Sequence, residues 1–329
     1  MRSILLASAM FLSLGAAQAA PSAVAPTADA RLDHVLLWGR GIDQVTAVMA
    51  VKLGFQVRPG RDPGGVANRY VRFADDGYLE LLGITRPDPE FDPGMKEDQA
   101  ALKGGPGARS FGFRSPALDA IHQALQGLGY AVTPFFSGPD AAKPGWRLFA
   151  FERAPLSSNT FFIDYAGDYA PDQADPGNRD DRRATREHPN GARELSSIWL
   201  VSGDAGADVR QLERMGFGGA VPVAVPEAGA KGYCVPVGAT ALLALQPDGA
   251  GIAADVMAAG GPRVLAVGIG VADLGRAQRW VERGYERKLA RHRGVSGESF
   301  LAPTWDDLGM LVEFHAIGAG TSPCGSVTD

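Results

Sequence analysis

Cysteine and histidine are scarce in this chain, with two Cys and five His among 329 residues. Two cysteines cannot form the paired Cys-x-x-Cys knuckles of a zinc ribbon. No G-x-S-x-G or Walker loop is found, so serine hydrolase and NTPase chemistry lack support. Lys and Arg total 32 against 37 Asp and Glu, for a formal net charge of -5. No basic cluster stands out, so a phosphate-neutralising surface is missing. Neither nucleic acid nor an anionic membrane is an expected partner. Beyond the first residues there is no run of about 20 apolar residues, so a soluble protein is expected, monomer or homodimer.

The start of the chain reads as a targeting signal. Arg2 supplies the positive charge, Ile4 to Ala17 the short apolar stretch, and Ala17-Gln18-Ala19 a small-x-small cleavage site. Residues 1–19 are therefore expected to be removed from a periplasmic or secreted protein; the alternative is an uncleaved anchor helix. In an oxidising compartment Cys234 and Cys324 either bridge or remain two separate cysteines, depending on geometry.

What the chain does have is apolar material, 45% of its residues, and an internal repeat. Four times a short helix ends in Gly followed by an aromatic residue: Leu53-Gly54-Phe55, Leu128-Gly129-Tyr130, Met215-Gly216-Phe217 and Arg283-Gly284-Tyr285. Gly suits the left-handed position past a helix end, and the aromatic residue can begin the next strand. Asp43, Asp119, Asp208 and Asp273 stand near the helix starts, where a carboxylate meets orphan N–H groups. Opening strands are expected over Leu32–Trp38, Ser110–Arg114, Leu195–Val201 and Val264–Val271. Closing strands are expected over Tyr78–Ile84, Thr160–Tyr165, Ala239–Leu245 and Met310–Phe314. One such unit cannot bury both its helix and its sheet, so two pairs are predicted. The first spans 31–170, after a flexible 20–30, and the second 191–318, before a tail at 319–329. Residues 171–190, rich in Asp, Arg, Pro and Gly, would link them.

Several local motifs resemble a glyoxalase-like domain of the vicinal oxygen chelate superfamily. These are Leu32-Asp33-His34-Val35, the glycine loop from Gly60 to Arg69, Tyr78-Leu79-Glu80-Leu81, Phe161-Phe162-Ile163-Asp164-Tyr165 and His188-Pro189-Asn190-Gly191. The resemblance covers roughly Arg31 to Ala192. It implies an α+β fold of glyoxalase/bleomycin-resistance type: four β-α-β-β-β modules paired into two curved mixed-sheet half-barrels. Asp62 stands where related sequences usually carry His, and Val66 where a Gly-Thr pair is common. The superfamily includes metal-dependent isomerases, lyases, ring-cleaving dioxygenases and non-catalytic binding proteins, so membership implies a type of site and not one reaction.

His34 and Glu80 each interrupt an apolar strand. Alternation places Leu32, His34 and Leu36 on one face, and Tyr78, Glu80 and Leu82 on one face. The resemblance makes both ligands of a divalent ion such as zinc, nickel, manganese or iron; the plain alternative is a strand His paired with a Glu. In the second unit Ser110 stands where a His would complete the pattern, and Asp164 where the matching carboxylate would lie. Asp164 or His188 would complete the site or move a proton with Glu80, unless His188 merely caps its loop. Glu313 and His315 form a weaker metal pair, since Ser197 replaces the His34 equivalent. Arg61, Asn68 and Arg69 would grip a substrate carboxylate or carbonyl, or belong to a hairpin loop facing water. His122, on a helix, is expected at the surface or in packing, and His292 in solvent. Gly268-Ile269-Gly270 lacks the third Gly of a dinucleotide fingerprint. The expected function is a metal-dependent lyase, isomerase or dioxygenase acting on a small oxygen-bearing substrate. The alternative is a binding protein that sequesters a small molecule.

Overall fold

The computed structural model describes residues 27–62, 64–91, 95, 98, 102–138, 144–166, 186–318 and 323–325. The expected signal segment at 1–19 and the expected linker from 171 to 185 lie outside the described residues. The first unit comprises β1 (Arg31–Trp38), α1 (Ile42–Ala47), β2 (Arg58–Pro59), β3 (Val66–Arg72) and β4 (Tyr78–Ile84). The second comprises β5 (Gly107–Arg114), α2 (Leu118–Gly127), β6 (Phe136–Ser137), β7 (Trp146–Ala150) and β8 (Asn159–Tyr165). The third comprises β9 (Ala192–Val201), α3 (Ala205–Arg214), β10 (Val221–Val225), β11 (Ala230–Val237) and β12 (Thr240–Pro247). After α4 (Ile252–Gly260) comes the fourth: β13 (Arg263–Val271), α5 (Leu274–Gly284), β14 (His292–Gly294), β15 (Gly297–Ala302), α6 (Trp305–Leu308) and β16 (Leu311–Ala316).

Units one and two share an eight-stranded sheet ordered β2-β3-β4-β1-β5-β8-β7-β6, and units three and four share one ordered β10-β11-β12-β9-β13-β16-β15-β14. In each unit the opening and closing strands are parallel neighbours, as where His34 faces Tyr78 and Ala266 faces Leu311. The two opening strands of a pair run antiparallel at the sheet's centre. These strands are buried on both faces, which is why they read as nearly unbroken apolar runs.

The helix signals are met in two ways. Asp273 caps α5, accepting from the Arg276 N–H at 2.9 Å, and Asp204 rather than Asp208 caps α3, accepting from Ala207 at 3.1 Å. Asp43 and Asp119 lie inside the first turns instead, paired with Arg69 and Arg147 from the third strand of their own units. Gly54, Gly129 and Gly216 take positive φ as expected, whereas at the fourth helix end that conformation falls on Glu286. None of the four aromatic residues after these glycines begins a strand; β2, β6, β10 and β14 all start later.

One apolar core joins the helix faces of both sheets. Phe55 stacks on Phe314 with centroids 5.7 Å apart, and Phe113 on Phe217 at 4.8 Å. The opposite, cupped faces carry separate small clusters. In the first half Leu36, Trp38, Leu82, Phe161 and Ile163 are covered by Phe91, Met95 and Leu102 from the β4–β5 connection. In the second half Trp199, Leu243 and Ala266 are covered by Ala253 and Val256 of α4, which occupies the equivalent connection. Cys234 and Cys324 form a disulfide, with Cα atoms 5.6 Å apart, which ties the end of the chain to that cluster. Among the described residues no helix is long and apolar enough to cross a membrane.

Candidate functional site

The polar end of the first cup is built around a bulge. In β1, Leu32 pairs with Phe113 and His34 with Gly112, so Asp33 is the extra residue. A bulge breaks the two-residue alternation. Leu32 therefore belongs to the helix-side core, contrary to the alternation read from the sequence, and Asp33 turns to the same face as His34. Asp33 Oδ2 lies 2.6 Å from His34 Nδ1 and also accepts from the Tyr165 hydroxyl at 2.7 Å. A carboxylate can only accept, so the imidazole proton sits on Nδ1. His34 Nε2 then looks toward Glu80 Oε2 at 3.6 Å. Glu80 Oε1 accepts from Asn68 Nδ2 at 2.8 Å.

Aromatic rings wall this group. His34 stacks on Tyr78 at 4.2 Å and leans on Phe161 at 5.0 Å, and the Tyr78 and Tyr165 hydroxyls are 3.2 Å apart. Burial pushes both phenols well above their ordinary value, and the Asp33 charge adds to it, so both stay neutral. Arg72 lies over both Tyr70 and Tyr78. Next to the group Asp98 is fully buried, and it accepts from Trp38 Nε1 at 2.9 Å, Ser110 Oγ at 3.0 Å and Asn159 Nδ2 at 3.2 Å. Desolvation raises its carboxyl pKa.

Other sequence candidates fall elsewhere. The same bulge recurs at Arg109 in β5, which makes Ser110 the counterpart of His34. Two positions beyond its partner Asn159 stands Phe161, and this residue, not Asp164, takes the place of Glu80. Asp164 is opposite Arg147 on the other face. His188 is also outside the cup, packed between Phe55 and Phe73. Its Nδ1 accepts from the Gln56 N–H at 3.0 Å and its Nε2 donates to the Arg72 carbonyl at 2.8 Å. Burial holds its pKa down to about 4.

Of the three expected substrate-gripping residues, Asn68 reaches the cup. Its carbonyl accepts from the Arg61 N–H at 2.6 Å and its amide serves Glu80 and the Tyr70 hydroxyl. Arg69 points to α1, bonded to Asp43 and Thr46, and Arg61 is exposed. Asp62 is engaged within its loop, accepting from Gly65 and Thr85.

In the second cup Ser196 is the bulged residue and Ser197 the His34 equivalent. Leu243 stands in the place of Glu80 there. Glu313 is buried and faces His292 at 3.2 Å, so His292 is not a solvent residue. This bond raises the His292 pKa. His315 Nε2 instead meets Ser196 Oγ at 2.6 Å. His122 bonds to the Thr133 carbonyl and packs on Phe135.

Asp33, Tyr78, Tyr165, Arg72 and Asp98 were not singled out from the sequence. Strand parity was enough to find Tyr78 and Arg72; Asp33 needed the bulge and Asp98 the path of a connection.

Residues 32–216 match a family described as a glyoxalase-like domain. Among solved structures, the chain is similar to a mutant of 4-hydroxymandelate synthase from Streptomyces coelicolor. The identity is 13% and the TM-score 0.63, over 89% of this chain and 95% of that one. It is also similar to a hypothetical protein from Staphylococcus aureus. There the identity is 11% and the TM-score 0.52, over 88% and 99%. Likeness at such identities is one of fold. No curated protein sequence matches the chain.

Proposed function

The chain belongs to the glyoxalase-like domain family of the vicinal oxygen chelate superfamily, and we propose that its first cup binds a small oxygen-bearing molecule and moves protons on it through His34. The observation that carries this reading is the placing of His34 between two carboxylates, Asp33 at 2.6 Å and Glu80 at 3.6 Å. Asp33, steadied by Tyr165, fixes the imidazole tautomer and leaves the Nε2 lone pair facing Glu80. The gap at Nε2 is too long for a direct hydrogen bond. A substrate oxygen or C–H group lodged beside it can reach both groups. Either Nε2 or Glu80 takes a proton from one substrate atom and the same group returns it to another, the chemistry of an isomerase. Tyr165 donates its proton to Asp33, so Tyr78, held neutral, is the phenol that can turn its proton toward the charge that develops on an enolate-like oxygen.

The residue set was also tested against a divalent ion. His34 and Glu80 supply two donors, and Asp33 is the carboxylate that a metal-bound His commonly carries behind it. A zinc, nickel, manganese or iron site needs at least a third protein donor. Ser110 and Phe161 hold the two equivalent positions, and the described residues contain no group of three His, Cys, Asp or Glu suited to a metal. The set does not fit, so no step is assigned to a metal. The weaker pair fails similarly: Glu313 is engaged by His292 and His315 by Ser196.

A non-catalytic binding protein is the second reading, favoured by one observation: Phe91, Met95 and Leu102 cover the cup, and the His34 side chain is only 5% exposed. Export, with cleavage after Ala19, is part of the proposal, and a disulfide is the sort of bond an oxidising compartment sustains. A mature chain beginning at Ala20 by mass spectrometry is the expected product.

The deciding experiment follows deuterium uptake from solvent, by NMR, at carbons next to the carbonyl of a panel of small hydroxy-carbonyl compounds. Uptake that EDTA leaves unchanged and His34→Gln abolishes is expected, with Ser197→Ala behaving as wild type. Binding without uptake would establish the sequestering role instead.

A further inference from the structure

The two halves meet on the far side of Asn159, whose side chain donates to Asp98 beside the first cup. A cavity of about 660 Å³ opens there. From the first half it is lined by Arg109, Ser157 and Asn159, and from the second by Asp208, Gly260 and Arg263. Arg109 is 8% exposed and Arg263 7%. Two buried guanidiniums on one cavity are unusual, because each cation loses its hydration and each repels the other. The environment shows the strain. Burial, reinforced by the Arg263 charge, lowers the Arg109 pKa to about 10, with Asp98 opposing, and burial lowers that of Arg263.

Among the described residues neither guanidinium is in an ion pair, though the Asp98 charge acts on Arg109 from a distance. The Nε of each is buried without a partner among the described residues. Arg109 donates from one Nη to the Gly105 carbonyl at 2.8 Å. Arg263 makes no side-chain hydrogen bond among the described residues. Asp208, the acid among the described residues of the wall, is engaged by the Ser157 N–H at 2.9 Å and the Ser157 hydroxyl at 2.5 Å. The Arg263 guanidinium lies against Gly260, in the space that a Cβ there would take.

We propose that this cavity binds a compact dianion, a dicarboxylate or a phosphomonoester, between Arg109 and Arg263. Guanidinium forks match both chemistries with paired hydrogen bonds. The cavity has the size of an ordinary small-molecule site. A ligand there would touch both halves at once, so its occupancy would be linked to how they pack.

Calorimetric titration of the full chain with inorganic phosphate and with succinate, at ionic strength held constant with sodium chloride, tests the proposal. One site per chain for at least one probe is expected. Phosphate alone would identify a phosphomonoester site and succinate alone a dicarboxylate site. Arg263→Gln and Arg109→Gln should each weaken binding about tenfold or more, while the exposed Arg210→Gln should not. Melting of the anion-free protein adds a second readout. Arg263→Met should melt no lower than wild type, because an unmatched buried charge has been removed. Wild type alone should gain melting temperature with the bound probe. Absence of binding by both probes, binding that survives Arg263→Gln, or a lower melting temperature of anion-free Arg263→Met would each overturn it.

Discussion

The two halves share a strand order and a bulge, but their cups hold different chemistry. In the first, the bulged pair is Asp33-His34, and Glu80 comes from the closing strand of the same unit. In the second, that pair is Ser196-Ser197, and the buried carboxylate has moved to the other unit of the pair as Glu313, with His292 beside it. The backbone provides four equivalent places for a polar group. Which of them are polar decides whether a cup can move protons or only satisfies its own polar groups. Both cups are covered by the connection between their units, so the difference lies in side chains and not in access.

The largest expected effect challenges the division into halves. Phe314 is fully buried and stacks on Phe55 across the junction and on Phe300 in its own half. Phe314→Ala should cost roughly 3–5 kcal/mol. Calorimetry should show one transition, because the core is shared; two separate transitions would mean that the halves melt as independent domains.

A smaller effect contrasts two histidines with opposite shifts. His188, depressed from 6.5 to about 4, contributes stability that is whole above pH 6.5 and is lost as pH falls toward 4. At its full extent this is on the order of 3 kcal/mol. His292 is raised, so its contribution is whole below pH 6.5 and is lost as pH climbs through its elevated value. Denaturation of His188→Gln and His292→Gln between pH 4 and pH 8 should therefore flatten the stability profile on opposite sides. Asp75, raised to about 6 by burial, acts against His188 in acid, but it is common to wild type and variants and cancels in the difference.

The smallest effect concerns a feature that units one and two repeat. Asp43 pairs with Arg69 and Asp119 with Arg147, the carboxylates exposed and the arginines partly so. Asp43→Asn and Asp119→Asn should each change stability by less than about 1 kcal/mol, and salt should erase the change. A loss well beyond that would make these pairs part of how each helix is seated.

Much of this was legible in the sequence. The closing strand Tyr78–Ile84 is where its apolar run placed it, and the four opening strands begin within a few residues of their expected starts. His34 and Glu80 were found because a lone polar residue in an apolar strand needs a partner. Asp33 was not, because alternation sends neighbours to opposite faces and nothing in Leu-Asp-His-Val marks an inserted residue. Asp164 was expected in the carboxylate's place, but the register that runs from Asn159 puts Phe161 there. For Arg69 the signal was available: residues 68 and 69 are adjacent on a strand and cannot share a face. His292 sits on a three-residue strand, too short to show a period. The cover over the first cup depends on Phe91, Met95 and Leu102, which lie outside every strand and helix expected from the sequence.

The central claim is that His34 is a proton carrier set by Asp33 and not a metal ligand. Proton–nitrogen correlation NMR of the histidine rings tests it in protein purified without chelator, before and after one equivalent of zinc. The account predicts a far-downfield His34 Nδ1 proton, lost in Asp33→Asn, and an Nε2 signal that stoichiometric zinc leaves in place. An Nε2 signal that moves to a metal-bound position at one zinc per chain, and fails to do so in Glu80→Gln, would contradict it.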